Sequence, residues 1–269
     1  MDEREAFYER VIREWIADTS ARVLVCGGGP LDHAVFVRLG YRNVTISNLD
    51  NRMGGDAFAP LAWAEADAGR LPFPDDSFDY CVIHAAVHHA SSPHSVLTEM
   101  YRVSRCCLIA FESRDSWMMR RLESWEITQV YEHSAVHFND GRYGGVNNTE
   151  IPNFVYRWTE REVQKTISAY APHVVNGFEF RYGTAFPVIP STERRGRMKY
   201  LLLQAARPLF RVFTLVFPRQ QNQFAFLVRK GRVPADLHPW LCQKDGQVRF
   251  NTDWGRQRYR GQLGPPPEP

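Results

Sequence analysis

Residues 71–105, LPFPDDSFDYCVIHAAVHHASSPHSVLTEMYRVSR, constrain the fold more than any other stretch of the chain. Pro72, Pro74 and the pair Asp75-Asp76 punctuate a turn. Residues 78–83 form a short apolar run, long enough for a central parallel strand and too short for a helix. The pair His88-His89 follows just past the carboxyl end of that strand, the edge at which open α/β sheets bind ligands. Upstream, the apolar run 22–26 (RVLVC) leads straight into Gly27-Gly28-Gly29-Pro30. Residues 32–40 then read as a helix stopped by Gly40, and 44–47 as a second strand. Strand, glycine turn, helix and strand make a βαβ unit, in which glycines let backbone approach a ligand closely. The glycines alone would also suit a plain tight turn. A dinucleotide fingerprint fits poorly, because Leu31-Asp32 follows where the third glycine should come.

The stretch closely resembles the LPFPDxSFDxV…LHHxxxPxxxLxEMxRV segment of class I S-adenosylmethionine-dependent methyltransferases, and small-molecule and sugar O-methyltransferases in particular. Val23, Leu24, Gly27 and Gly29 fall in register with the loop of that family, xVLDxGxGxG. Two positions depart from it: Val25 stands where an acidic residue usually sits, and Leu31 replaces the third glycine. The resemblance implies a Rossmann-like, seven-stranded, mostly parallel α/β sheet with an antiparallel last strand and helices on both faces. It implies S-adenosyl-L-methionine as cofactor, held by Cys26, Gly27, Gly28 and Gly29 at the loop, with His84 at the fourth strand's end. Counting from the loop puts Asn48 where relatives carry the carboxylate that binds the ribose hydroxyls. A carboxylate accepts two hydroxyl protons at once, so Asp50 is the expected ribose ligand and Asn48 a second contact. Asp67, with Ala68 beside it, matches the acidic residue that accepts from the adenine amino group. Asp32 is the candidate to replace the carboxylate missing at Val25.

The 269 residues are 44% hydrophobic, enough for one large domain, or a domain with an appendage, that buries its core without metal or disulfides. Cys26, Cys81, Cys106, Cys107 and Cys242 form no C-x-x-C pair, the usage of a reducing compartment. With neither a signal-peptide pattern nor a run of about 18 apolar residues, the expected location is cytoplasmic. The formal charge of +3 hides an asymmetry. Residues 192–260 hold 15 Lys or Arg against four acidic residues, a balance of +11, whereas residues 1–191 carry −7. A split of this kind suits an anionic partner for the basic part, or arginines pairing with the acidic body.

Along the chain we expect an N-terminal amphipathic helix (1–20) and a methyltransferase domain (21–232), then an extension (233–269) whose tail, 261–269, is disordered. Within the domain, 113–156 is a substrate-side insertion: a helix near 115–130, then a polar loop whose Tyr, Asn and His residues suit the wall or lid of an acceptor pocket. Thr159 and Glu162 spell a capping box at the next helix, residues 174–182 a sixth strand and 223–230 the antiparallel seventh. Residues 194–218, RRGRMKYLLLQAARPLFRVFTLVFP, are apolar almost all round after a basic start, and Arg207-Pro208 is expected to break them. Membrane-surface contact, a lid, a homodimer face and a buried core helix all fit this segment.

Methyl transfer from a sulfonium has a good leaving group, so an enzyme supplies alignment and, for a hydroxyl acceptor, a base. By the resemblance, His88 or His89 is that base, oriented by Glu112 or Asp115 near the fifth strand. His137, with His133, Asp140 and Tyr143 around the polar loop, is the alternative. A metal at His84, His88, His89 and His94 is not expected, because no acidic pair accompanies them in the sequence. The function so read is methylation of a hydroxyl on a small molecule or glycan, in small-molecule or carbohydrate biosynthesis. N- or C-methylation, and a non-catalytic module of the same fold, are the alternatives. Nucleic acid is not an expected partner, since no Asn-Pro-Pro-Tyr type motif occurs.

Overall fold

The computed structural model describes residues 2–186 and 194–262. The chain opens with α1 (Glu3–Trp15), capped by the Asp2 side chain, which accepts the Glu5 N–H; Phe7, Tyr8, Val11 and Ile12 lie on its inner face. β1 (Val23–Cys26), α2 (Pro30–Arg38) and β2 (Val44–Asn48) form the expected βαβ unit. β3 (Ala62–Glu65), β4 (Phe78–His84), α3 (Pro93–Val103) and β5 (Ser104–Ser113) continue it. The insertion holds two short helices, α4 (Trp117–Ser124) and α5 (His133–His137), rather than one helix over 115–130. The chain turns after α4 at Glu126, which adopts φ +54°, and that prevents one continuous helix. Next come α6 (Glu160–Tyr170), β6 (Gly177–Gly183), α7 (Arg194–Val216) and β7 (Gln223–Arg229). α6 starts at the Thr159–Glu162 capping box.

The sheet order is β3-β2-β1-β4-β5-β7-β6. All neighbours are parallel except β7, which runs antiparallel to both β5 and β6. The expected seven-stranded, mostly parallel sheet is therefore present. Two-sided burial makes its middle: Val23, Val25, Val82, Ile109 and Phe111 pack under α1 and α2, while Leu24, Cys26, Cys81, Ile83 and Leu108 pack under α3 and α6.

One reading needs correcting. α7 runs unbroken through Pro208, so the break at 207–208 does not occur; the one backbone bond a proline removes is lost within a helix whose inner side is anchored, as described below. In the extension, β8 (Leu241–Lys244) and β9 (Gln247–Phe250) pair as a hairpin and α8 (Thr252–Arg258) follows. The tail from 263 on lies outside the described residues.

Candidate active site

Two cavities open beside each other at the carboxyl ends of β1, β2 and β4, and Ala85 borders both. The first, about 230 Å³, is lined by Gly27, Asn48, Asp50, Asp67, Ala68 and His89, among others. Its floor depends on Gly27. This residue adopts φ +59°, and a Cβ there would sit 2.7 Å from the Cβ of Ala86. Only glycine lets the β1 and β4 loops approach so closely. Gly27→Ala is therefore expected to destabilise the fold by about 1–3 kcal/mol, measured by urea unfolding; an unchanged midpoint would show that the loops separate freely.

At the cavity wall, Asp67 Oδ1 accepts the Gly69 N–H at 2.8 Å, and Oδ2 has no partner among the described residues. Asn48 is internally satisfied: Nδ2 donates to the Gly28 carbonyl (2.9 Å) and Oδ1 accepts the Asp50 N–H (3.0 Å). Arg52 clasps the Asp50 carboxylate, Nε donating to both oxygens at 2.8 and 3.0 Å, and holds its pKa below the usual carboxylate range. Arg52 also donates to Asn139 Oδ1 (2.9 Å) and lies 4.2 Å over the Tyr143 ring. That ties the 137–153 loop to this cavity. Gly144, Gly145, Asn147 and Asn148 form its outer wall, and Asn147 Oδ1 accepts the Ser91 N–H at 3.0 Å. The polar loop expected at the acceptor pocket thus closes the Asp50–Asp67 cavity instead.

The remaining loop residues lie differently. Cys26 and Gly28 are below the cavity, Cys26 with its thiol pushed up to about 12 by burial. Gly29 caps α2, donating its N–H to Asp32 Oδ2 at 2.9 Å. Asp32 cannot replace the missing carboxylate, because Tyr8 Oη also donates to it at 2.8 Å in a buried setting. This use was invisible in the sequence, since Tyr8 comes from the preceding helix.

The second cavity, about 370 Å³, is lined by Arg4, His84, His88, Glu112, Glu132, Arg157 and Gln223, with others. His84, expected beside the cofactor, faces this cavity and stacks on Tyr8 with centroids 4.4 Å apart. Between the cavities lies a charged cluster. Glu112, in β5 with a fully buried side chain, accepts the Val87 N–H through Oε1 (2.8 Å), while Oε2 is 2.7 Å from His88 Nδ1. His88 Nε2 is 3.2 Å from Glu132 Oε2, which also lies 3.4 Å from His89 Nε2. Burial opposes charge on His88, but the two carboxylates outweigh it and raise its pKa to about 10. The hydrogen bond from His88 in turn lowers Glu132 to about 2. His89 moves the other way: burial first, then the charge of His88, depress it below its ordinary 6.5. At neutral pH one histidine is an imidazolium and its neighbour a neutral base.

Asp115 pairs with Arg120 (3.2 Å) and His137 is exposed; neither lines either cavity. Glu132 is the residue the sequence reading missed. With it, His88, His89 and Glu132 offer one ligand atom each, all within 4.8 Å of one another, so the acidic partner that the sequence lacked is present. The His88 proton facing Glu132 competes with any cation for the same lone pair.

Comparison with known proteins agrees with this frame. Residues 24–106 match the family described as Methyltransferase domain. A curated relative, the ubiquinone/menaquinone biosynthesis C-methyltransferase UbiE of Roseobacter denitrificans, is 29% identical over 110 residues, 36% of this chain. The chain spans 44% of that relative's length. Among solved structures, a chain from the complex of the Haloferax volcanii Trm112 methyltransferase activator with a methyltransferase has the same fold. It aligns with TM-score 0.55 and 13% identity over 86% of this chain and 90% of the other. A Pyrococcus horikoshii OT3 protein aligns at 0.50 and 13%, over 84% and 89%. The matched segment and the sheet order identify residues 24–106 as a methyltransferase domain of the class I, S-adenosylmethionine-dependent kind.

Proposed function

We propose that this protein methylates a hydroxyl group of a small molecule or glycan, with S-adenosyl-L-methionine bound in the Gly27–Asp50–Asp67 cavity and the acceptor in the larger cavity beside it. The residues fit the cofactor: a bare Gly27 backbone, an unpartnered Asp67 oxygen for an amino donor, and Asp50 with Asn48 for a diol. Bound there, the cofactor supplies an electrophilic methyl group on a sulfonium. His89 removes the hydroxyl proton, and Glu132, 3.4 Å from its Nε2, offsets the charge the ring gains. His88 keeps its proton between Glu112 and Glu132 and positions Glu132 rather than acting as base.

The observation that carries this reading is the placement of His89, which lines the Gly27–Asp50–Asp67 cavity and lies 3.4 Å from Glu132, a residue of the larger cavity. The acceptor side supports a hydroxyl-rich ligand. Gln223 Oε1 and Arg157 Nε are buried without partners among the described residues, and both residues line that cavity. Stranded groups of this kind cost about 1–3 kcal/mol each, which a ligand's hydroxyls would recover. Carbon methylation is the second reading, favoured by the match to a C-methyltransferase. Incubating the protein with cofactor and panels of hydroxylated and phenolic acceptors tests the choice: mass gain of one methyl on oxygen supports the proposal, and gain on carbon or nitrogen alone overturns it.

A further inference from the structure

No helix among the described residues is long and apolar enough to cross a membrane, yet several large apolar side chains of α7 stand exposed. Its inner side is anchored. Arg207 and Arg211 both pair with Glu3, Arg211 at 2.8 Å, and Phe210 packs edge-on against Phe186 at 5.5 Å. Thr214, on the same side of α7, is buried. The opposite side has no protein partner among the described residues. Met198, Leu202, Leu209, Val212 and Val216 recur every three to four residues or at multiples of that spacing, so they share one face over some five turns. That face is open to solvent, Leu209 being 75% exposed and Val216 67%. Single exposed apolar residues need no explanation, but a continuous stripe does.

Charge selects the occupant. The 23 residues of α7 include six basic residues and no acidic one, and four of the six (Arg194, Arg195, Arg197 and Lys199) fall in its first six positions. A protein partner would need a matching acidic collar around an apolar groove, whereas an anionic lipid surface supplies both properties at once. We propose that α7 is an interfacial helix that docks this protein on an anionic bilayer, its apolar stripe among the acyl chains and its basic first turns at the headgroups. The position has a consequence that rests on the methyl-transfer reading. Glu3, which holds α7, borders with Arg4 and Phe186 a cavity of about 450 Å³ that shares Arg4, Arg157, Asn222 and Gln223 with the acceptor cavity. Docking through the outer stripe would thus hold that cavity close to the bilayer, on the protein side of α7.

Cosedimentation of the full chain with vesicles tests the docking. Binding is expected to vesicles mixing phosphatidylglycerol with phosphatidylcholine, to weaken with added salt, and to be slight on phosphatidylcholine alone. Leu202→Gln with Leu209→Gln should weaken it by at least ten-fold, and Arg194→Gln with Arg197→Gln by about five-fold per residue. Equal binding to neutral vesicles, or double variants that bind like the parent, would overturn the proposal. So would a parent that binds no vesicles and sediments as a dimer that Leu209→Gln dissociates, which makes the stripe a self-association face. Calorimetric binding of S-adenosylhomocysteine is read in parallel: its loss in the parent protein refutes the cofactor reading and leaves the docking result standing, and the converse holds equally.

Discussion

The alanine variant of His89 is expected to turn over about 10²–10⁴-fold more slowly than the parent, with S-adenosylhomocysteine affinity essentially retained. The chemistry sets this magnitude. The sulfonium departs unaided, so the barrier that the protein can lower lies in the un-ionised hydroxyl. His89 is the neutral histidine of the adjacent pair because burial and the charge on His88 both disfavour its protonation. Its loss should also change the pH profile. In the parent the rate falls on acidification only below the ordinary histidine value of 6.5, as His89 gains a proton; in the variant that limb should vanish. A full rate in His89→Ala, or a variant that keeps the acid limb, would remove the base from this account and favour the carbon-methylation reading.

A second large effect is expected on stability. Glu112→Gln keeps the shape of the side chain but leaves His88 with one carboxylate in a site where its side chain is 8% exposed. Breaking a buried ion pair from one side costs about 3–5 kcal/mol. The cost should depend on pH in a defined direction. His88 is raised from 6.5 to about 10 in the folded protein. Its contribution is therefore fully present below 6.5 and disappears as pH rises through about 10. Glu132, lowered from 4.5 to about 2, contributes above 4.5 and loses its contribution as pH falls through about 2. The parent's advantage over Glu112→Gln should accordingly be largest between these two ranges and shrink steadily on the alkaline side. Urea unfolding of both proteins across that range is the check, and a gap that stays constant from pH 6.5 to 10 would contradict the assigned charge state.

What the sequence revealed was local in origin. The run 22–26, the three glycines and the LPF segment each carry their meaning within about ten residues, so the βαβ unit could be read directly, and the sheet class and the Asp67 position followed from the resemblance those segments anchor. Glu112 was named with Asp115 on the strength of the family resemblance, and the β4–β5 register is what puts Glu112, not Asp115, beside His88. Glu132 was not. It lies between α4 and α5, and its position depends on the path of the chain from one to the other rather than on any neighbour in sequence. The same holds for Asp32, taken by Tyr8 from α1, and for Arg52, which ties the 137–153 loop to the Asp50–Asp67 cavity. Pairings across distant segments leave no pattern in a single sequence. The apolar character of 194–218 was plain there, but which side faces inward follows only from the Glu3, Phe186 and Thr214 contacts.

We propose that the methyl donor binds in the cavity between the glycine loop and the ends of β2 and β3. Calorimetric titration of S-adenosylhomocysteine into the parent protein and into Asp67→Ala tests this. A single saturable site is expected in the parent, weakened by about 1–3 kcal/mol in the variant, where a ligand amino group loses its buried acceptor. Equal affinity in both proteins would move the adenine away from Asp67, and no binding in the parent would contradict the account as a whole.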